Sequence, residues 1–255
     1  MRLLPPLAVV LAALVGSCTE ISTNPTAITA LQFDSLPFPA IVTGDTLRDS
    51  LGIAAPLHAI AFNGAGGVIP NASLTYLALD SGLTISPTGF VTAQLRNGLV
   101  RIIASSPALQ SAAETLTVAR RPDSVVATGL VDTILYLLPD SPANVSPALG
   151  LQIATRDTAG GITGTAGWLV SYQVLFHGKP LAITDTTIAT LWTSAGLPSL
   201  RQRTDASGLV APKLRVRSTF LPSAVESVTV VATVRYRGAP VRGSPVTYLI
   251  QIRAK

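Results

Sequence analysis

Between Ser227 and Arg237 the chain alternates without a break: Val228, Val230, Ala232, Val234 and Tyr236 fall on one side, and Thr229, Val231, Thr233, Arg235 and Arg237 on the other. A period of two belongs to an extended strand with one face in a core, and a helix with its period of 3.6 cannot reproduce it. Val246, Tyr248, Ile250 and Ile252 repeat the pattern against Thr247, Leu249, Gln251 and Arg253, after a connection running from Gly238 to Pro245. Two long strands so joined predict an antiparallel pair in a sheet packed on one face.

The same grammar extends through the rest of the chain. Leu169 to Phe176 sets Trp168, Val170, Tyr172 and Val174 on one face and reads as a central strand. Leu99 to Ala104 sets Val100, Ile102 and Ala104 against Arg101 and Ile103, and Ala112 to Val118 follows with Leu116 and Val118 on one face. Short apolar runs at 57–62, 73–79, 83–85, 90–93, 124–128, 133–138 and 149–156 are divided by turn signals, among them Asn63-Gly64, Asp80-Ser81-Gly82 and Pro87-Thr88-Gly89. Asn97-Gly98 is the dipeptide of a type I′ hairpin. With 20 Gly and 19 Pro, and only 12% charged residues, the composition supplies the turns of an all-β protein and few charged helical faces.

Chain length and punctuation suggest two domains. Polar residues 18–29 read as a tether, 30–119 as a first domain, and 122–255 as a second, with Arg120-Arg121-Pro122-Asp123 as a short, semi-stiff joint. Pro122 restricts its own backbone and its predecessor's.

The N-terminus resembles a bacterial lipoprotein signal. Arg2 supplies the positive start, Leu3 to Leu14 an apolar run broken by Pro5 and Pro6, and Val15-Gly16-Ser17-Cys18 a lipobox-like end on the only cysteine. A membrane-spanning helix needs about 20 apolar residues, whereas a signal h-region needs roughly 7–15. The resemblance implies removal of residues 1–17, lipid on Cys18 and an extracytoplasmic protein. Thr19 is not the aspartate associated with inner-membrane retention, which favours the outer membrane, facing either the periplasm or the cell surface. Plain secretion is the alternative. Lipid on Cys18 would leave no thiol for a disulfide or a cysteine metal site.

Two further resemblances concern the domains. Ala59-Ile60-Ala61-Phe62, Leu74-Thr75-Tyr76, Ser86-Pro87-Thr88-Gly89-Phe90-Val91-Thr92-Ala93, Gly98, Val100-Arg101-Ile102-Ile103-Ala104 and Leu116-Thr117-Val118 are similar to a bacterial Ig-like domain of group 2, with Tyr76 where that family usually has tryptophan. Thr155 to Gly161, Val170 to Val174, Thr204-Asp205-Ala206-Ser207-Gly208-Leu209-Val210 and Val228 to Thr233 resemble, more weakly, the group 1 or invasin-type module. Together they imply two tandem Ig-like β-sandwich domains.

The inventory for chemistry is thin. His58 and His177 fall in different domains and in no metal-ligand spacing; the first reads as a strand-edge residue, the second as a turn residue before Gly178. Gly64-Ala65-Gly66-Gly67 lacks the third glycine and the helix of a dinucleotide fingerprint, and no Gly-x-Ser-x-Gly elbow occurs. Asp157 and Asp205 open turns that reach a glycine, where a carboxylate accepts hydrogen bonds from its own backbone; calcium, which takes six to eight oxygens, is the sharper but poorer reading. Asn71-Ala72-Ser73 and Asn144-Val145-Ser146 match the glycosylation sequon, by chance if the chain is bacterial. Arginines are scattered along the sequence, which argues against nucleic acid despite a net charge of +5. The expectation is a non-catalytic envelope lipoprotein without metal or cofactor, lipid-anchored at Cys18 and displaying two Ig-like modules for adhesion or protein interaction. The alternatives are a carbohydrate-binding accessory, for which Trp168 and Trp192 are the candidate aromatics with Trp168 better suited to a core, and a periplasmic scaffold.

Overall fold

The computed structural model describes residues 27–94, 97–127, 129–136, 144–156, 159–220, 222 and 224–254. The signal segment, Cys18, most of the expected tether and Asp157 lie outside them. Among the described residues every regular element is a strand. The N-terminal half contains β1 (Ala30–Phe33), β2 (Ala40–Val42), β3 (Ala59–Phe62), β4 (Val68–Ile69), β5 (Thr75–Ala78), β6 (Leu83–Ile85), β7 (Val91–Ala93), β8 (Gly98–Ser105) and β9 (Glu114–Ala119). The C-terminal half contains β10 (Ser124–Ala127), β11 (Val131–Tyr136), β12 (Leu151–Arg156), β13 (Ile162–Gly164), β14 (Leu169–Phe176), β15 (Lys179–Pro180) and β16 (Ala189–Trp192). It continues with β17 (Arg201–Arg203), β18 (Leu209–Val210), β19 (Lys213–Val216), β20 (Glu226–Thr233), β21 (Arg235–Tyr236), β22 (Ala239–Pro240) and β23 (Val246–Ala254).

Both halves wind the same way. One sheet runs β2-β9-β8-β5 with β2 parallel to β9; its counterpart runs β11-β23-β20-β14-β15 with β11 parallel to β23 and β17 also on β14. In the facing layer β1 pairs with β3, and β10 with β12. First strands paired in one sheet, with a later strand beside the penultimate and last strands in the other, is the Ig strand order. The protein is therefore all-β, built as two Ig-like β-sandwiches.

The cores follow from the alternation. Val228, Val230, Ala232, Tyr248, Ile250 and Ile252 are wholly buried, and the register sets Tyr172 opposite Ala232 and Tyr248 opposite Val230. Large faces small across the ladder, which fills the layer without crowding. Each fully buried aliphatic side chain there contributes about 1.5–3 kcal/mol. In the N-terminal sandwich Leu47, Val91, Val100, Ile102, Ala104 and Leu116 form the corresponding core.

Four expectations change. Asn97-Gly98 does not turn a hairpin between its flanking strands, because β7 pairs with β6 and β8 pairs with β5 and β9. Ile103, expected outward, is buried, with Leu77 of β5 opposite it on the same face. The centre of the large sheet is β20, with β14 one place from it. Thr29, the end of the expected tether, already donates its backbone N–H to Phe62 O at 2.8 Å and so extends the β1–β3 ladder.

Candidate functional site at the joint

The two sandwiches meet over far more than residues 120–123. After β2 the chain turns at Thr43-Gly44, where Gly44 is left-handed, and the Asp45 N–H donates to Val42 O at 2.9 Å. This turn presents the Asp45 carboxylate to the C-terminal sandwich. Opposite it, β21 and β22 form a hairpin whose central residues Arg237 and Gly238 both have positive φ, 50° and 79°, as a type I′ turn requires. Arg237 Nε donates to Asp45 Oδ2 at 2.9 Å and Tyr236 Oη donates to the same oxygen at 3.1 Å. Asp45 Oδ1 accepts from Thr46 N at 2.8 Å and from Arg48 Nη2 at 3.4 Å.

Asp45 is 8% exposed. Burial alone would raise its pKa, but the hydrogen bonds from Arg237, Thr46, Arg48 and Tyr236 outweigh burial and hold the carboxyl well below the usual carboxylate range. Around this pair the joint is apolar. Phe38 lies 5.1 Å from Trp168 and Trp168 lies 6.1 Å from Tyr236, ring centre to ring centre. Trp168 Nε1 donates to Arg235 O at 3.2 Å, while Arg121 and Arg237 stack on Tyr236 at 5.5 and 5.4 Å. Ala40 and Val42, on the outer face of β2, belong to the core of the other sandwich.

The backbones themselves touch. A Cβ on Gly52 would fall 2.1 Å from the Arg237 carbonyl carbon, and one on Gly238 would fall 2.4 Å from Leu51 O. Glycine is required at both positions for contact as well as for their positive φ. Beside the contact the joint opens into a cleft of about 470 Å³, lined by Leu99, Thr117, Arg120, Thr165, Gly167 and Asp205 among others.

The residues singled out from sequence are dispersed. His58 is exposed with Nδ1 3.6 Å from Asp34, and His177 sits in the left-handed turn after β14 with Nε2 2.8 Å from Glu226. The structure does not bring them together. Asp205 Oδ1 accepts from the Ser207 N–H, the Ser207 hydroxyl and the Leu209 N–H, so its carboxylate serves its own turn, and these bonds lower its pKa. Trp168 is buried in the joint. Trp192 is half-buried with the Arg215 guanidinium 4.4 Å from its ring centre, which covers one face of the only remaining candidate sugar platform. Asp45, the centre of the joint, escaped sequence reasoning: nothing in Thr43-Gly44-Asp45-Thr46 separates a buried clamp from an ordinary turn.

No protein-family model matches the chain, and no curated protein matches it. Among solved structures it is similar to domains 4 and 5 of the S-layer protein SbsC, at 13% identity over 89% of this chain and 98% of that one, with a TM-score of 0.31. It is also similar to the Yersinia pseudotuberculosis adhesin InvE, at 11% identity over 88% of this chain and 58% of that one, TM-score 0.33. A third similarity is to the Escherichia coli adhesin FdeC, at 14% identity over 88% of this chain and 65% of that one, TM-score 0.29.

Proposed function

We propose that this chain is a non-catalytic envelope lipoprotein whose two Ig-like domains, residues 30–119 and 122–255, form one stiff arm that presents binding surfaces away from the membrane. The observation that carries the reading is the joint, where a buried carboxylate, an aromatic cluster and two glycine-dependent backbone contacts tie one sandwich to the other. An arm that displays a surface gains from such stiffness, because a fixed geometry avoids the entropy lost in ordering a flexible one on binding. The lipobox-like run ending at Cys18 supports attachment at the other end, where a multiply acylated cysteine gives stable anchoring. Similarity of the first domain to the group 2 module and of the second to the invasin type fits adhesion or protein contact at the outer membrane.

Cys18→Ser tests the anchor. The expected result is loss of the protein from the membrane fraction, with the wild-type N-terminal peptide carrying lipid by mass spectrometry. An unlipidated wild-type N-terminus, or equal membrane retention of both proteins, refutes the anchor. Protease added to intact cells separates the two display readings, with cleavage expected for an adhesin and protection for a periplasmic scaffold.

A further inference from the structure

The register of the C-terminal sandwich gathers arginines that are far apart in sequence. Arg201 lies opposite Ser171, and Arg203 opposite Leu169; residues directly opposite in an antiparallel pair share a face. Ser171 in turn lies opposite Thr233, the last β20 residue of that ladder, and past the buried Val234 comes Arg235, an exposed residue of β21. On one strand, alternate residues are about 6.7 Å apart, and a strand two places away is about 10 Å distant. Arg201 and Arg203 thus form a basic pair at the end of this face nearest the joint, with Arg235 two residues beyond the last paired position of β20. At the far end Arg253 shares the face with Gln251, to which its guanidinium donates at 2.9 Å.

Between these ends the outer surface mixes hydroxyls and amides with half-buried aliphatics: Gln173 beside Val231 and Thr247, Thr229 between Leu175 and Leu249, and Ser227 beside Gln251 and Thr133. The two carboxylates of these strands occupy the other register, Asp132 opposite Ile250 and Glu226 opposite Ile252. Among the described residues none of the four arginines has a carboxylate within ion-pair distance. Arg235 donates to Gly238 O at 2.8 Å, which neutralises no charge. Aromatic side chains of these strands that are described, Tyr172, Phe176 and Tyr248, belong to the core or pack against it.

We propose that this outer face binds an extended acidic polysaccharide. Charge complementarity identifies the occupant: unpaired guanidiniums pair with uronate carboxylates in a forked geometry, and the hydroxyl and amide rows offer donors and acceptors to sugar hydroxyls. Among the described residues of these strands no aromatic points outward, which disfavours both stacking on a neutral sugar and the aromatic-rich core of a protein interface. The proposal adds a ligand class to the display reading, but it does not depend on the anchor, so the two fail separately.

The test uses the purified full chain and affinity electrophoresis through gels containing polygalacturonate, with dextran as the neutral polymer and double-stranded DNA as a second polyanion. Retardation by polygalacturonate at low ionic strength is expected, weakening as salt is added. The double variant Arg201→Gln/Arg203→Gln should lose retardation on the order of tenfold, with an unchanged thermal midpoint. The control Arg156→Gln/Arg242→Gln, which removes the same charge elsewhere, should keep it. No retardation by polygalacturonate, equal loss in the control, or tighter binding of DNA overturns the proposal.

Discussion

Asp45→Asn keeps the side chain's volume and removes the charge that three donors from other side chains converge on. Arg237 is half exposed, so the loss falls between that of a broken buried pair, about 3–5 kcal/mol, and that of a surface pair, about 0–1 kcal/mol. We expect about 2 kcal/mol at neutral pH, read by denaturant unfolding. Because the folded carboxyl titrates below its unfolded value of about 3.9, this stabilisation is complete above that value and declines as pH falls beneath it. The gap between wild type and Asp45→Asn should accordingly narrow in acid; a constant gap would mean that the charge is not what holds the joint. At the alkaline end, burial pushes Tyr248 up to about 12. Its contribution is present below the unfolded tyrosine value of about 10 and is lost as pH rises through the folded one. Ultraviolet titration should show Tyr248 ionising late, and Tyr248→Phe should lower the amplitude of the late step by one tyrosine, the buried Tyr172 remaining, while also losing the hydrogen bond to Gly150 O at 3.0 Å, worth about 1 kcal/mol.

Strands and hairpins differ in how much of their role their own residues disclose. The alternation of β20 and β23 specifies which face is buried, since a one-residue slip would turn every valine and isoleucine toward water. Ile250→Ala should therefore destabilise the chain by about 2–5 kcal/mol, measured as a lowered unfolding midpoint. The β21–β22 hairpin looks like a trivial connection between those long strands, yet it carries Tyr236 and Arg237 into the joint. Gly238→Ala should damage it twice, by forcing an L-residue to a φ of 79° and by driving a methyl group into Leu51 O. The expected readout is faster proteolysis at 49–53 and 236–240, with the β20–β23 amides still protected from hydrogen exchange. Loss of that protection as well would show that the hairpin supports the whole sandwich rather than the contact alone.

Across the whole molecule, the sharing of Ala40 and Val42 with the C-terminal core couples two units that would otherwise melt independently. Calorimetry should give one transition for the wild type and two for Asp45→Asn/Arg237→Ala, with small-angle scattering showing a broader spread of inter-sandwich angles in the variant. Two transitions in the wild type would sink the stiff-arm reading. The all-β class, the inward face of each long strand and the burial of Trp168 were legible in the sequence, because alternation with period two is a local property that each strand writes in its own residues. Asn97-Gly98 shows the limit of local reading: the dipeptide suits a tight turn, but which strands pair is decided by neighbours elsewhere in the sheet. The joint and the basic face lay beyond reach for the same reason. Asp45 and Arg237 stand 192 residues apart, and Arg201 reaches the face of Thr233 only through the registers of β17, β14 and β20. Sequence determined what each strand buries; only the packed sheets decided which distant charges meet, because cross-strand register and contact between sandwiches are set by the fit of whole faces.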